Sequence, residues 1–484
     1  MSMPCARLAK ALRALQKGNT AEDDTRQVSV WFKRRKVLNC RIILYGALYN
    51  HLPRESASSD ANCNIAVCTR IKAFHQRFYS NSAVFNYIAL HAGLQAGYFI
   101  LWQKRKKNYF LRVDIIRISR IGVGLMKKYN VGVVGATGMV GQRFVSLLEN
   151  HPWFTLVAVA ASPRSAGKTY EQAVGARWAM PTPMPNAAKN LIVMDASDVA
   201  GVAAKVDFVF CAVDMKKEEI KALEEAYAKA ECPVISNNSA HRFTKDVPMI
   251  VPEINAEHTD IIPMQKQRLG TKRGFIAVKS NCSLQSYVPA LHPLMQDFGV
   301  SKCLVCTYQA ISGAGKTFET WPEMMDNCIP FIGGEEEKSE KEPLKLWGKI
   351  AGDAIVPADG PAITAQCLRV ACTDGHMAAV FVSFDKKPTI EEIKAKWATF
   401  KGEAQNLSLP SAPKQFLHYF EEENRPQTKL DRNVENGMAV SIGRLREDTQ
   451  YDYKFVCLSH NTLRGAAGGA VLLAELLAAK GYLE

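Results

Sequence analysis

Cys282 stands in the string SNCS (280–283), directly ahead of a stretch, 284–295, whose apolar residues recur at helical spacing despite Pro289 and Pro293. A thiol at a helix N-terminus meets free N–H groups and the positive end of the dipole, which lower its pKa toward the reactive range. Such a thiolate is a soft nucleophile for acyl transfer. Most cysteines are inert small hydrophobes, so this one needs a base and substrate-binding charges from elsewhere in the chain. A second string, GATGMVG (135–141), lies between the apolar run 130–134 and an amphipathic stretch reaching Leu148. A glycine turn between strand and helix lets backbone approach a pyrophosphate, and the helix start supplies donors to it. The spacing is GxxGxxG rather than GxGxxG, so the generic dinucleotide fingerprint is only partly met. A plain structural turn competes, but the flanking strand and helix favour dinucleotide binding.

The next apolar run, 154–161, tests which dinucleotide. An NAD site usually ends this strand with an acid for the ribose 2′-hydroxyl. Here the run passes into Ser162, Arg164, Ser165 and Lys168, two hydroxyls and two cations with no acid. That set suits a 2′-phosphate and favours NADP, against the blander reading of a solvated loop. Further along, 206–213 reads as a buried strand, 216–229 as a charged helix and 233–236 as another strand. Strands alternating with helices of these lengths imply a parallel, doubly wound sheet.

The chain has 484 residues and a net charge of +14, which resembles a nucleic-acid signal until it is divided by position. Residues 1–125 carry 21 Lys/Arg and 6 Asp/Glu, whereas the remainder carries 40 and 41. The excess is therefore confined to an N-terminal extension with no recognisable nucleic-acid motif. That extension reads as largely irregular. Its first 21 residues lack acids and resemble a mitochondrial presequence until Glu22, Asp23 and Asp24 interrupt. Residues 83–102 have the length of a membrane span, weakened by Asn86, His91 and Gln95. Translated upstream sequence, absent from the working protein, is the preferred reading of 1–125; a targeting or tethering arm is second. Of 13 cysteines, nine follow the extension at irregular spacing, which fits a reducing, cytoplasmic setting better than a disulfide framework. The pair Cys303 and Cys306 falls in an apolar strand and so points to opposite faces. No cluster has metal-ligand spacing.

GATGMVG (135–141), SNCS (280–283), QAISGAG (309–315) and RVACTDGH (369–376), in this order, resemble the aspartate-semialdehyde dehydrogenase family. SNNSAHR (236–242) and NTLRG (461–465) are similar to its fungal and archaeal branch. The likeness spans about 127–484. It implies an α/β fold with a Rossmann-type NADP-binding domain (126–279 plus 461–484) and an α+β catalytic and dimerisation domain (280–460). The implied activity is NADPH-dependent reductive dephosphorylation of 4-phospho-L-aspartate to L-aspartate 4-semialdehyde through a cysteine thioester, in lysine, threonine and methionine biosynthesis.

Residue by residue, the resemblance implies that Cys282 is the nucleophile, His376 the general acid/base and Gln309 the residue that orients the acyl intermediate. Arg369 matches the arginine that binds the substrate carboxylate. Glu335 matches the acid that holds the substrate amino group, although Glu336 or Glu337 could serve after a one-residue slip. Arg242 and Lys338 match phosphate ligands. Gly135, Thr137, Gly138, Met139 and Val140, with Ser162, Arg164, Ser165 and Asn461, form the expected cofactor site. The family is typically a homodimer or homotetramer acting on small molecules, with no nucleic-acid partner and no membrane. The nearest rival is a CoA-linked acyl reductase such as malonyl-CoA reductase, which would share the thioester chemistry. A scaffold or NADP sensor that has lost catalysis is the rival from another class, and the intact set Cys282, Gln309, Arg369 and His376 speaks against it.

Overall fold

Apolar runs without alternation, such as FVFC at 208–211, are satisfied only by strands covered on both faces. The computed structural model, which describes residues 128–484 and the backbone of three short earlier strands, builds such a sheet from them. Its strands are β1 (Tyr129–Val134), β2 (Phe154–Ala161), β3 (Val193–Asp195), β4 (Phe208–Cys211), β5 (Val234–Ser236), β6 (Met249–Ile250) and β7 (Ile276–Lys279). All pair in parallel, in the order β3-β2-β1-β4-β5-β7-β6. Strand order reverses between β1 and β4, which opens a crevice at their carboxyl ends. Helix α1 (Met139–Leu147) follows β1 and α2 (Lys217–Lys229) follows β4. This is the doubly wound half expected from the sequence.

The second sheet alternates. Every other residue of His376–Phe384 is buried, the pattern of a sheet with one face on a core. Its strands are β8 (Val300–Gln309), β9 (Cys328–Ile329), β10 (Ala362–Val370), β11 (His376–Phe384), β12 (Leu417–Phe420), β13 (Val440–Glu447) and β14 (Tyr453–Ser459). They run in the order β9-β10-β8-β11-β14-β13-β12, with β8 and β10 parallel and β12 and β13 parallel. Helix α3 (Leu284–Phe298) covers this sheet and is buried without a break from Leu284 to Leu294, Pro289 and Pro293 included. Helix α4 (Glu335–Leu346) lies along β10.

The chain then returns to the first sheet. Helix α5 (Gly468–Ala479) has the sequence GGAVLLAELLAA, and residues 468–478 are all buried, some against β5 and β7. A helix from Gly465 is the sequence expectation. It starts later because Leu463–Ala467 forms a π-helical turn, broken at Ala466.

Residues 1–126 form a separate unit. Within it Ser29–Trp31 and Leu101–Arg105 each pair antiparallel with Asn108–Arg112. The presequence-like start and, but for its last two residues, the stretch 83–102 lie outside the described residues. Among the described residues no helix is long and apolar enough to cross a membrane.

Candidate active site

Lys279 closes β7 and Ser283 caps α3, so Cys282 sits on the short turn between sheet one and the core of sheet two. Asn281 shapes that turn. Its Oδ1 accepts from the Ser283 N–H and Oγ at 2.8 Å each, and its Nδ2 donates to both oxygens of Glu335 at 3.0 Å. Cys282 is half-buried, and a Cβ on Gly465 would stand 2.9 Å from its Cβ. The thiol pKa departs from the sequence expectation of a lowered value. Burial pushes it up, Glu335 adds to the rise, and Lys279, Arg242 and Arg369 oppose them. A helix start favours the thiolate, whereas burial of the thiol works against it, and only the first can be read in the sequence.

The two basic residues of RVACTDGH, Arg369 and His376, meet at one residue, Ala310, just past the end of β8. Its N–H donates to His376 Nδ1 at 3.1 Å, and its carbonyl accepts from Arg369 Nη1 at 2.8 Å. His376 is fully buried, and its Nε2 has no partner among the described residues. Because Nδ1 accepts, the neutral ring carries its proton on Nε2. Burial, with Arg369 close by, pushes the His376 pKa down to about 3, so the ring is neutral at working pH. Gln309 donates to Thr307 Oγ1 at 3.3 Å and to Glu335 Oε2 at 3.2 Å.

Gly313 lets the loop 310–315 lie flat on this pair. A Cβ there would come within 2.8 Å of Arg369 Nη1 and 2.9 Å of His376 Nε2. The variant Gly313→Ala should therefore displace both, costing about 100-fold in kcat/KM while leaving cofactor affinity unchanged. Steady-state kinetics beside a cofactor titration would show this, and full activity in the variant would contradict the close approach.

The three consecutive glutamates separate cleanly. Gly334, at φ 69°, starts α4 so that Glu335 turns inward, where Lys338 holds it at 2.6 Å. Glu336 instead accepts from Gln366 and from the Cys367 N–H of β10, and Glu337 pairs with Lys341 in solvent. Lys338, and the donors Gln309 and Asn281, hold the Glu335 carboxyl below its usual value despite burial. Arg242 is also inside. Its Nη1 meets Glu342 at 3.0 Å, its Nε meets the Lys279 carbonyl at 3.0 Å and its Nη2 meets the Asn237 carbonyl at 3.4 Å.

At the crevice, Gly135 has φ 89°, and a Cβ on it would collide with the Ala212 carbonyl. Gly141 similarly has no room beside Gly135. Gly138 is exposed, caps α1 without any side-chain bond, and no acid occupies the first turn. Free N–H donors with no competing carboxylate fit an anionic pyrophosphate. Thr137, Met139 and Val140 are half-buried around the turn; Ser162 and Arg164 are exposed and Ser165 half-buried beyond β2. Asn461 reaches the other half. Its Nδ2 donates to Ser312 Oγ at 2.8 Å, and its Oδ1 accepts from the Gly375 N–H at 2.8 Å, next to His376.

Comparison with known proteins identifies the family. Residues 130–262 match the family description "Semialdehyde dehydrogenase, NAD binding domain", and 291–464 match "Semialdehyde dehydrogenase, dimerisation domain". An aspartate-semialdehyde dehydrogenase of Archaeoglobus fulgidus is 43% identical over 350 residues, 72% of this chain and 98% of that protein. One from Aspergillus fumigatus is 42% identical over 364 residues, 74% of this chain and 99% of the relative. The chain belongs to the aspartate-semialdehyde dehydrogenase family. A crystal structure of the Candida albicans aspartate-semialdehyde dehydrogenase with NADP is similar at a TM-score of 0.67 and 37% identity, covering 74% of this chain and all of that one.

Beyond the residues given roles above, the site holds two more, Glu342 and, within NTLRG, Arg464. Glu342 accepts from Arg242 and from the Asn281 N–H at 2.7 Å, and Arg464 joins Gln285 to Glu253. Their partners lie 61 to 211 residues away, which leaves no local signal. Lys279 did carry one, a charge closing the apolar strand IAVK.

Proposed function

We propose that this site performs the phosphorylating aspartate-semialdehyde dehydrogenase reaction with Cys282 as nucleophile. The observation that carries the reading is the convergence of Asn281, Gln309 and Lys338 on Glu335, beside the half-buried Cys282. The sulfur attacks the acyl carbon of 4-phospho-L-aspartate, a C–S bond forms, the C–O bond to phosphorus breaks, and inorganic phosphate leaves. Arg369 pairs with the substrate carboxylate and Glu335 with its ammonium. Lys338 and Arg242 supply positive charge for the departing phosphate; Arg242, already bonded through every nitrogen, acts as a fixed charge. NADPH, when bound on the GATGMVG turn with its 2′-phosphate near Ser162, Arg164 and Ser165, supplies hydride for reduction of the thioester. His376 offers its Nε2–H to the thiohemiacetal oxygen, and Gln309 orients the acyl group.

Residues 126–279 with 461–484 serve as the cofactor half and 280–460 as the catalytic half. The dimerisation match supports a homodimer or homotetramer, and the nine unpaired cysteines among the described residues support a reducing, cytoplasmic location.

The full-length protein, given L-aspartate 4-semialdehyde and NADP, should raise absorbance at the NADPH band only when phosphate is present. Replacement of phosphate by CoA should give no turnover. CoA-dependent, phosphate-independent reduction would transfer the assignment to a CoA-linked acyl reductase.

A further inference from the structure

Helix α4 has the sequence EEEKSEKEPLKL, which reads as a solvated face, yet one stripe of it is turned inward. Glu335, Lys338, Glu342 and Lys345 recur at helical spacing and so share one side of the helix. The first two have roles in the mechanism above. The next two have none, although Glu342 is fully buried and Lys345 is 2% exposed.

Lys345 reaches the loop that carries Arg242. That loop, 237–248, joins β5 to β6 through turns and bends, with neither helix nor strand, and half of it is buried. Irregular backbone inside a protein must still find donors for its carbonyls. The Lys345 Nζ provides them, donating to the carbonyls of Arg242 at 2.7 Å, Thr244 at 2.9 Å and Val247 at 2.9 Å. An ammonium has three N–H groups, and this one loop takes them all. Burial pushes the Lys345 pKa down to about 8, opposed by Asp246 and Glu342, so the ammonium persists at neutral pH.

Glu342 grips the same arginine from its other end. One oxygen accepts from Arg242 Nη1 at 3.0 Å, and the other accepts from the Asn281 N–H at 2.7 Å, one residue ahead of Cys282. The Arg242 loop leaves β5 and the Cys282 turn leaves β7, and α4 bonds to both.

We propose that Lys345 is a positioning residue of the phosphate site, fixing the main chain at Arg242 and hence where the guanidinium stands relative to Cys282. This rests on the reading of Arg242 as a phosphate-site charge. A charge that acts by place, without moving, is only as useful as the backbone that holds it. Lys345 does not touch phosphate, because its donors are used on the loop. Without them the three carbonyls turn toward water and draw Arg242 with them. The grip on the rest of the substrate is separate: Arg369 is held by Ala310, and Glu335 by Asn281, Gln309 and Lys338, none of them in the loop.

Oxidation of L-aspartate 4-semialdehyde by the full-length protein, with NADP saturating and phosphate varied, measures the effect. In Lys345→Met the KM for phosphate should rise about tenfold or more, the scale of a lost bond to a charged group. The KM for the semialdehyde and kcat at saturating phosphate should stay within about threefold, whereas a purely structural role would move all three together. Lys345→Arg keeps the charge, but a planar fork cannot meet three carbonyls converging on one nitrogen, so its phosphate KM should fall between. If the methionine variant fails to fold, the arginine variant decides. Arg242→Gln completes a cycle: it should raise the phosphate KM by itself, and Lys345→Met added to it should raise it no further. Additive effects in that cycle would overturn the proposal. So would an unchanged phosphate KM in the folded Lys345 variants beside a raised one in Arg242→Gln. An unchanged value in Arg242→Gln would overturn the phosphate role of Arg242, and the proposal with it. A parent protein without phosphate-dependent turnover would overturn the reaction itself.

Discussion

Cys282→Ala should abolish phosphate-dependent turnover, lowering kcat by about 10⁴-fold or more, while NADP binding stays within twofold of the parent. Loss of a nucleophile removes the covalent route altogether, and comparable deletions elsewhere cost on the order of 10⁶. The cofactor turn at 135–141 belongs to β1 and α1, whereas Cys282 lies between β7 and α3. The two functions therefore separate. Cys282→Ser is the stricter variant because it keeps the shape, and an alkoxide at this site is far harder to form than a thiolate. Quench-flow with radiolabelled substrate should trap an acyl-enzyme in the parent and none in either variant. Acyl-enzyme accumulation in Cys282→Ala would mean that another residue attacks the substrate.

The second large effect concerns stability. Arg464→Met should destabilise the 127–484 unit by about 3–5 kcal/mol, because it leaves Glu253 buried with no opposing charge. Arg464 makes a two-pronged contact with Glu253, at 2.7 Å and 2.5 Å, donates to Gln285 at 2.9 Å, and lies 4.4 Å over the Phe416 ring. Both side chains are almost completely covered, so solvent screens neither. The double variant Arg464→Met with Glu253→Met should recover most of the loss, since no charge is then stranded. Urea melts of the full chain followed by tryptophan fluorescence would measure both. Equal stability of the single variant and the parent would show that the pair is not needed by the fold.

The cofactor half was legible because its physics is local. Strand 154–161 is bounded by sharp changes in hydrophobicity and coincides with β2, and a buried strand leading into glycines admits few geometries. Cys282 stood out for the same reason. The identity of the inward glutamate was hidden, since three consecutive acids look alike to a helical period. It is decided by the left-handed Gly334 and by the groups that reach Glu335 from β8 and the 280–283 turn. The raised thiol pKa was hidden too. A helix start can be read in sequence, but desolvation depends on residues such as Arg369 and Gly465 that only folding brings near. The start of α5 was misplaced by three residues because a π-helical turn needs no special composition.

Ala310 has a further consequence. The arginine proposed to hold one end of the substrate and the imidazole proposed to serve the other are tied to the N–H and carbonyl of a single residue. Their spacing is thus set by main chain, with little give from side-chain rotamers. A homologue with one more methylene between its carboxylate and its acyl carbon would be gripped correctly at the arginine and overshoot the sulfur. An error of about 1 Å in such a reaction is worth roughly 100-fold. The enzyme would then measure chain length as a caliper does, rejecting the five-carbon acid by misalignment even where the cavity has room for it.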